Sequence, residues 1–473
     1  MVRCQLSVAT DDGPQTTDHG RRLLAFFPVN LDQKLRQLKR ASKPRDPDRE
    51  LEQTLEYLRR MEQPPGPRPL PAQRAAQGIE AYVEGVLANN DFGEYFLARQ
   101  AFPFGRPYGK LRIGDISTAD LTPLNLLFPQ AALPRPERLV YLDTETTGLA
   151  GGTGTCAFLI GVGTVEGTQF VVRQFFLRDY PEEKAVLCAL AGILDSFEGL
   201  VTYNGKTFDV PLLETRYTLA RLKSPFGRLL HLDALHPARR LWKLRLESCK
   251  LTDLESAVLG IGREGDVAGS EIPGIYFDYL RTGDPRGLEP VFYHNALDIM
   301  TLAAVTVELA RAIGDAGTLD SPVDLFSLSR MLETAGSRDQ SVATCQRALS
   351  GGLPEEIEAR ALHQLALQYK RQRQPQLAVE TWLELSRRAS PLALEALEEL
   401  AMHYEHHQRD PQSAMEFTLA ALERLERRGA PCGRPGRAQG PPLQTDIKRF
   451  THRLERLQRK TGRLRSAIDL PIT

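Results

Sequence analysis

Asp143 and Glu145 directly follow the apolar run Leu139–Leu142, and this arrangement limits how the surrounding chain can fold. A short apolar run is typical of a strand that is buried on both faces. Because alternate side chains of a strand share a face, the two carboxylates are predicted to point the same way from the edge of a core. Neighbouring carboxylates repel each other unless a cation lies between them, and a hard divalent cation such as Mg²⁺ binds carboxylate oxygens. Taken alone, the pair still favours a strand end with two solvated acids.

Two further acids, Asp209 and Asp298, change that interpretation. Asp209 ends the segment 204–209, which follows another apolar strand. Asp298 falls within the predicted helix 289–313, on a mostly apolar stripe that recurs at steps of three and four residues. A buried carboxylate is costly unless it is paired or binds a metal. His294 lies one turn earlier, so its imidazole is predicted to flank the same site and not to be an ordinary core histidine.

The elements predicted around these acids are strands and helices in mixed order, which indicates an α/β domain. Strands are predicted at 139–142, 158–165, 169–177 and 200–203, and helices at 182–197, 210–222 and 289–313. A three-strand meander, a helix, a strand and further helices favour a sheet of mixed strand direction flanked by helices. The chain is accordingly divided into a poorly defined N-terminal region (1–135), the α/β domain (136–315), all-α helical repeats (323–425) and a basic linker with a terminal helix (426–473).

Helical hairpins are predicted after the α/β domain. Ala343, Ala378 and Ala414 recur in similar settings, at intervals of 35 and then 36 residues. This period is close to that of tetratricopeptide repeats, which stack into a solenoid with a concave face for a protein partner. Small residues at these positions would let paired helices approach closely. The alternative is that the repeats only pack against the α/β domain. The basic helix 445–465 is predicted either to contact nucleic acid or to cap the solenoid.

Composition narrows the function classes without deciding among them. The formal net charge of the 473 residues is zero, so binding to nucleic acid or to a membrane needs local patches. The segment 221–250 is one basic patch, for which a solvated surface and a phosphate-binding surface are equally consistent. The six cysteines form no CxxC pair, which predicts neither a zinc site nor a disulfide framework and fits a reducing cytoplasm. No apolar run is long enough to span a bilayer, so a cytoplasmic chain without membrane contact is expected.

The segment Gly260–Gly265 reads GxGxxG, a pattern that can mark dinucleotide binding. Here it ends a predicted helix instead of following a strand. A dinucleotide site is therefore rejected, and Gly260 is interpreted as a helix C-cap.

The four acids stand in three motifs, LDTETTG, YNGKTFD and HNALD, whose order and spacing resemble those of the DEDD exonuclease superfamily. The resemblance covers about residues 138–313 and implies a ribonuclease H-like fold. The segment ESCKLTDLESAVLGIGREGDVAGSEIP, with helical repeats behind it, is most similar to the bacterial YprB-like family and implies a metal-dependent 3′–5′ exonuclease. One detail departs from the superfamily, whose histidine subgroup places His five residues before the last acid and whose tyrosine subgroup places Tyr four before. Here His294 is four residues before Asp298, and Tyr293 is five before.

The resemblance implies two-metal hydrolysis of phosphodiester bonds with Mg²⁺ or Mn²⁺. Asp143, Glu145 and Asp298 would bind one ion. Asp143 would bridge to the second ion, which Asp209 would hold. His294 would accept the proton of the attacking water, since an imidazole can gain and lose a proton near neutral pH.

Substrate contacts are expected from Thr146, Asn204 and Lys206, together with basic residues that bind phosphates without reading the base sequence. The expected substrate is a single-stranded end of nucleic acid, with DNA favoured over RNA and DNA repair as the expected setting. Two alternatives stay open: an RNase-D-like ribonuclease, and a non-catalytic scaffold that binds nucleic acid or protein through the helical repeats. The scaffold is disfavoured because it has no use for a costly cluster of four acids.

Overall fold

The computed structural model describes residues 78–127, 132–148, 154–429 and 441–468. Residues 1–77 of the predicted N-terminal region and residues 430–440 of the predicted linker lie outside this part of the chain. Among the described helices, none has both the length and the apolar character that crossing a bilayer requires.

A mixed seven-stranded sheet forms the centre of the α/β domain. The described strands are β1 (Gly85–Asn90), β2 (Gly93–Pro103), β3 (Pro107–Tyr108), β4 (Leu111–Arg112), β5 (Leu139–Thr146), β6 (Ala157–Glu166), β7 (Gln169–Phe176), β8 (Gly199–Thr202) and β9 (Leu230–Asp233). The order of strands in the sheet is β1-β2-β7-β6-β5-β8-β9, and β3 pairs with β4 separately. β5, β6 and β7 form an antiparallel meander, whereas β8 runs parallel to β5 and β9 runs parallel to β8. The prediction of a sheet of mixed direction is confirmed.

Two strands upstream of the predicted domain boundary at residue 136 belong to this sheet. β2 pairs antiparallel with β7 from Phe96 to Pro103, and β1 forms a hairpin with β2. Phe96 and Ala98 are buried on β2. The sheet therefore begins at β1, and the boundary drawn from the sequence separates two of its strands from the other five. The pattern of the upstream segment alone could not reveal this, because β2 finds its partner about 70 residues further along the chain.

Seven helices accompany the sheet in the described ranges. They are α1 (Asp115–Thr118), α2 (Glu183–Leu194), α3 (Asp209–Leu219), α4 (Leu235–Trp242), α5 (Leu251–Leu254), α6 (Ile272–Thr282) and α7 (Glu289–Gly314). A π-helical turn, Glu255–Leu259, continues α5 and ends at Gly260, whose φ of 72° is left-handed. Gly260 is thus the C-cap that the sequence predicted.

Helix α7 lies directly against β5 and β6, and two glycines of β6 make this close approach possible. A Cβ atom on Gly161 would lie 2.2 Å from Oδ1 of Asn295, and one on Gly163 would lie 2.5 Å from Cγ2 of Ile299. Any larger side chain at these positions would force the side chain of Asn295 or Ile299 to move. Since α7 also carries His294 and Asp298, the two glycines set the distance between these residues and the acids of β5.

The region after the α/β domain is helical, as predicted. Its helices are α8 (Pro322–Thr334), α9 (Arg338–Ser350), α10 (Glu355–Arg371), α11 (Pro375–Ser386), α12 (Ala393–His406), α13 (Pro411–Gly429) and α14 (Pro441–Ile468). Ala378 and Ala414 are buried, as expected for close helix packing, but Ala343 is exposed. Ser341 takes its place, because it is the fourth residue of α9 just as the two buried alanines are the fourth residues of α11 and α13.

Helix α8 belongs to two hydrophobic cores. Leu328, Met331 and Leu332 pack into the core of the α/β domain. Leu325 and Phe326 pack instead into the core of the helical region. The α/β domain and the helical region therefore share one element.

Part of the basic segment 221–250 is used inside the molecule. Arg245 forms an ion pair of 2.7 Å with Asp324 of α8, whose side chain is 3% exposed. Arg228 donates a hydrogen bond of 2.8 Å to the carbonyl oxygen of Phe197 and pairs with Asp195 at 3.1 Å. These two arginines stabilise the fold, so a phosphate-binding surface would have to use other residues of the segment.

The terminal helix α14 packs against α13. Phe450 and Leu457 are fully buried in this contact. The carboxylate of Glu405 on α12, whose side chain is inaccessible to solvent, accepts bonds of 2.6 Å from Arg456 and from Lys460. Basic side chains of α14 are thus used to hold it in place, which supports the predicted role as a cap of the helical region.

Candidate functional site

Three elements bring the four predicted acids together. β5 carries Asp143 and Glu145, α3 begins with Asp209, and α7 carries Asp298. Burial raises the pKa of Asp143 well above its ordinary value, and the charges of the other three acids, Asp298 first, raise it further. The carboxylates are therefore close enough to repel one another, although they come from sequence positions more than 150 residues apart.

The remaining acids are also held in environments that disfavour their charged forms. Burial is the main cause in each case: it raises the pKa of Glu145 to about 7 and that of Asp209 to about 6. The pKa of Asp298 is raised by burial as well, although the positive charge of Arg263 opposes the shift. A bound cation would relieve this repulsion, which is the electrostatic condition for a metal site.

Hydrogen bonds fix the carboxylate of Asp143 to α7. The amide of Asn295 donates a bond of 3.0 Å to Oδ2 of Asp143, and its Oδ1 accepts one of 3.0 Å from Nε2 of Gln174. Gln174 also donates a bond of 2.7 Å to the carbonyl oxygen of Phe292. Asn295 is completely buried, and Gly161 provides the space for it. The position of Asp143 therefore depends on a chain of buried amides.

The first motif also holds Asp209. The hydroxyl of Thr144 on β5 donates a bond of 2.5 Å to Oδ1 of Asp209. Thr146, a predicted substrate contact, ends β5 and donates from its own hydroxyl to the carbonyl oxygen of Gly148 at 3.0 Å. In this arrangement the Thr146 hydroxyl stabilises the turn that follows β5.

The second motif is a tightly held loop before α3. Asn204 has a left-handed φ of 70°, and a Cβ atom on Gly205 would lie 2.5 Å from the side chain of Thr202. The carboxylate of Asp233, at the end of β9, accepts bonds from the backbone amides of Asn204 at 2.8 Å and Lys206 at 3.1 Å. Two predicted substrate contacts, Asn204 and exposed Lys206, thus lie on a backbone that is fixed by a neighbouring strand.

Sequence reasoning missed an arginine, Arg263, that lies at the centre of this site. Its guanidinium binds both carboxylate oxygens of Glu255, at 2.5 and 2.8 Å, and Oδ2 of Asp266 at 2.9 Å. It also pairs with Asp298. The side chain is only 7% exposed, so one buried cation contacts three carboxylates, although its single charge can balance only one of them. The charged residues Arg263, Glu264 and Asp266, within and directly after Gly260–Gly265, could have indicated this cluster from the sequence.

His294, and not Tyr293, faces the acids. Nδ1 of His294 lies 2.9 and 3.0 Å from the two carboxylate oxygens of Asp266, and its Nε2 lies 3.5 Å from Oδ2 of Asp298. Tyr293, the other candidate from the spacing of the third motif, is 44% exposed. Of the two candidates, the histidine is therefore the one whose side chain contacts the acids, and its role as proton acceptor stays a prediction.

The chemistry of the four acids fits a hard divalent cation, because carboxylate oxygens are the ligands that such ions prefer. Nowhere in the described ranges, however, do three or more His, Cys, Asp or Glu side chains converge on one metal position. Asp298 is turned toward Arg263, and Asp209 accepts its bond from Thr144. The predicted metal ligands Asp143, Glu145, Asp209 and Asp298 are thus neighbours, but they do not form a complete ligand set as placed.

Comparisons with known proteins agree with this architecture. Residues 140–310 match the family model of the RNase H superfamily, which confirms the predicted ribonuclease H-like fold. The uncharacterized protein YprB of Bacillus subtilis (strain 168) is 30% identical over an alignment of 344 residues, and the match covers 70% of this chain and 81% of that protein. Members of the RNase H superfamily are usually hydrolytic nucleases and generally use divalent metals. The DEDD assignment and the tetratricopeptide repeats stay predictions.

Proposed function

The chain belongs to the YprB family and contains an RNase H superfamily domain, and from this premise we propose that it is a metal-dependent 3′–5′ exonuclease. The proposed substrate is a single-stranded end of nucleic acid, with DNA preferred over RNA. DNA repair is the proposed setting, and a cytoplasmic location remains a prediction.

One observation carries this proposal: four carboxylates come from β5, α3 and α7, and side-chain contacts link these elements at the acids, because Asn295 of α7 binds Asp143 and Thr144 of β5 binds Asp209. Like charges of this density destabilise a fold unless cations compensate them. A protein that only bound a partner would gain nothing from such a cluster. Metal-dependent hydrolysis of a phosphodiester uses such a cluster, because metal ions held by carboxylates can activate water and stabilise the charge of the reacting phosphate.

In this proposal Asp143, Glu145, Asp209 and Asp298 would hold two Mg²⁺ or Mn²⁺ ions. His294 would accept the proton of the attacking water through Nε2, the ring nitrogen on the side of Asp298. Asn295 keeps the carboxylate of Asp143 in place throughout, since its amide is bound on the other side by Gln174.

Two exposed aromatic rings support a single-stranded substrate. Phe208 is 54% exposed and directly precedes Asp209, and Tyr293 is 44% exposed and directly precedes His294. Aromatic rings at such positions stack on bases of any sequence, which suits an enzyme that removes nucleotides one after another. Lys206 would add a phosphate contact from the second motif.

The test compares the wild-type chain with Asp143→Asn on end-labelled single-stranded and double-stranded DNA and RNA, with Mg²⁺ or Mn²⁺ present. Asp278→Asn is a matched control, because this exposed aspartate lies on the surface of α6 and pairs there with Arg281. We expect release of mononucleotides from 3′ ends by the wild type and by the control, and none by Asp143→Asn. Equal release by all three proteins would show a contaminating nuclease. Cleavage of RNA alone would favour the RNase-D-like alternative.

A cavity in the helical region favours an additional binding role. It has a volume of about 740 Å³, lies among α10, α11 and α12, and is lined by aromatic and basic side chains that include Trp382, Tyr404, His403 and Arg373. If the wild type released no nucleotides with either metal yet still bound nucleic acid or a protein, the scaffold would replace the enzyme as the better proposal.

A further inference from the structure

The ring of His294 is held on one side by a carboxylate that belongs to none of the three motifs. Nδ1 lies 2.9 Å from Oδ1 and 3.0 Å from Oδ2 of Asp266. An ionised carboxylate only accepts hydrogen bonds, so Nδ1 must carry the proton. In the neutral ring, Nε2 then keeps its lone pair, and this nitrogen faces Asp298 at 3.5 Å.

Asp266 is itself anchored in a buried network. Nη1 of Arg263 donates to Oδ2 of Asp266 at 2.9 Å, while the rest of the guanidinium binds Glu255, whose side chain is 2% exposed. Although burial opposes it, the bonds from Arg263 and His294 lower the pKa of Asp266, so its carboxylate is charged at neutral pH. Two left-handed glycines, Gly260 and Gly265, shape the loop that brings arginine and aspartate together.

This geometry also bears on the unusual spacing of the third motif. A histidine four residues before Asp298 lies on the same face of α7, one turn away, and α7 alone does not decide how its ring is turned. The loop after the π-helical turn fixes the ring, because the carboxylate that it places at Nδ1 selects one tautomer and one ring orientation.

We propose that Asp266 is a positioning residue that holds His294 as the Nδ1–H tautomer, with Nε2 directed at the acids. The inference rests on the proposed nuclease function for its consequence in catalysis. The structural part of the inference, that a protonated Nδ1 of His294 binds Asp266, is independent of the proposed function.

The kinetic test uses Asp266→Asn in the full chain, alone and combined with His294→Gln, with Asp278→Asn as the surface control. We expect Asp266→Asn to lower turnover by about 10–100-fold with little change in KM, as is typical when a residue that orients a catalytic group is changed. In the His294→Gln background the same substitution should cost nothing more if its effect on turnover passes through the ring and not through the contact of Asp266 with Arg263. An equal loss in both backgrounds would mean that Asp266 merely stabilises the fold, and would overturn the proposal. Asp266→Glu, which keeps the charge, should recover part of the activity.

The second readout does not depend on nuclease activity. Histidine-selective ¹⁵N NMR of the wild-type chain at mildly alkaline pH reports the tautomer of each of the nine histidines. The His294 signal is identified by its loss in His294→Gln. We expect a protonated Nδ1 and an unprotonated Nε2, and a shift toward the other tautomer in Asp266→Asn. An unprotonated Nδ1 in the wild type would overturn the inference. A protein with the expected tautomer but no nuclease activity would refute the proposed function and leave the role of Asp266 intact.

Discussion

Gly161 on β6 gives the sharpest test of how α7 and the sheet form one site. In Gly161→Ala, the new methyl group would lie 2.2 Å from Oδ1, 2.9 Å from Cγ and 3.0 Å from Nδ2 of Asn295, so the amide must move. Such overpacking costs ~1–3 kcal/mol of the free energy of unfolding. Moving the amide also breaks its bond to Asp143, and leaving a buried partner unsatisfied costs ~1–3 kcal/mol more.

The assay is urea unfolding followed by circular dichroism, with Gly192→Ala as the control. Gly192 is an exposed residue of α2, and no atom lies within 4 Å of where its Cβ would be, so this substitution should stabilise the helix by ~0.5–1 kcal/mol. If the reasoning is right, Gly161→Ala costs less in an Asn295→Ala background, where the methyl group meets no amide. A Gly161→Ala protein as stable as the wild type, or a cost that is unchanged when Asn295 is shortened, would refute the account of this contact.

Three further predictions concern charge. Glu145 and Asp209 have raised pKa values in the folded chain, so their ionisation opposes folding. With a chelator present, the contribution of these two groups to stability should be largest in acid and should be lost as the pH rises from 4.5 through about 7 for Glu145 and from 3.8 through about 6 for Asp209, as read from urea midpoints of the wild type relative to Glu145→Gln and Asp209→Asn. Arg263→Gln should lower the free energy of unfolding by ~3–5 kcal/mol because it leaves buried Glu255 without its counter-charge, and the added substitution Glu255→Gln should restore part of that stability. Glu405→Gln should weaken the attachment of α14 by ~1–3 kcal/mol, measurable as faster tryptic cleavage within that helix.

Each of these predictions has an outcome that contradicts it. A stability that rises over the stated pH interval would mean that the acids are stabilised as anions. No recovery in the Arg263→Gln and Glu255→Gln double variant would show that the arginine matters for packing and not for charge. Unchanged cleavage of α14 in Glu405→Gln would indicate that Phe450 and Leu457 hold the helix without help from the ion pairs.

The elements that the sequence predicted well are those whose signal is local. The apolar run before Asp143 and the stripe of α7 each report burial directly, so strand, helix and acid could be placed before any contact was known. The observed bounds of β5 to β8 and of α7 lie within a few residues of the predicted ones, apart from the polar end of β5, which continues to Thr146. The C-cap at Gly260 could also be predicted, because helices commonly end at a glycine in the left-handed conformation.

The features that escaped the sequence analysis depend on contacts between distant segments. Arg263 and Asp266 lie in a loop without periodicity, and their role appears only when the loop meets α7, about 30 residues later. The pairing of β2 with β7 is likewise a long-range choice. The mistaken alignment of Ala343 with Ala378 and Ala414 has a different cause. The first helix begins with Arg338 and the later two begin with proline, so a comparison of similar residues placed the first repeat two positions away from Ser341, the structurally equivalent residue.

The double membership of α8 has a practical consequence for anyone who dissects this protein. A fragment that stops after α7, at the domain boundary predicted from the sequence, would lack Leu328, Met331 and Leu332. The apolar surface of the α/β domain that these residues cover would then be exposed to water. Such a truncation should aggregate during expression, whereas one that extends through Thr334 keeps that surface covered. The smallest fragment expected to keep the α/β domain folded therefore includes α8, the first helix of the neighbouring region.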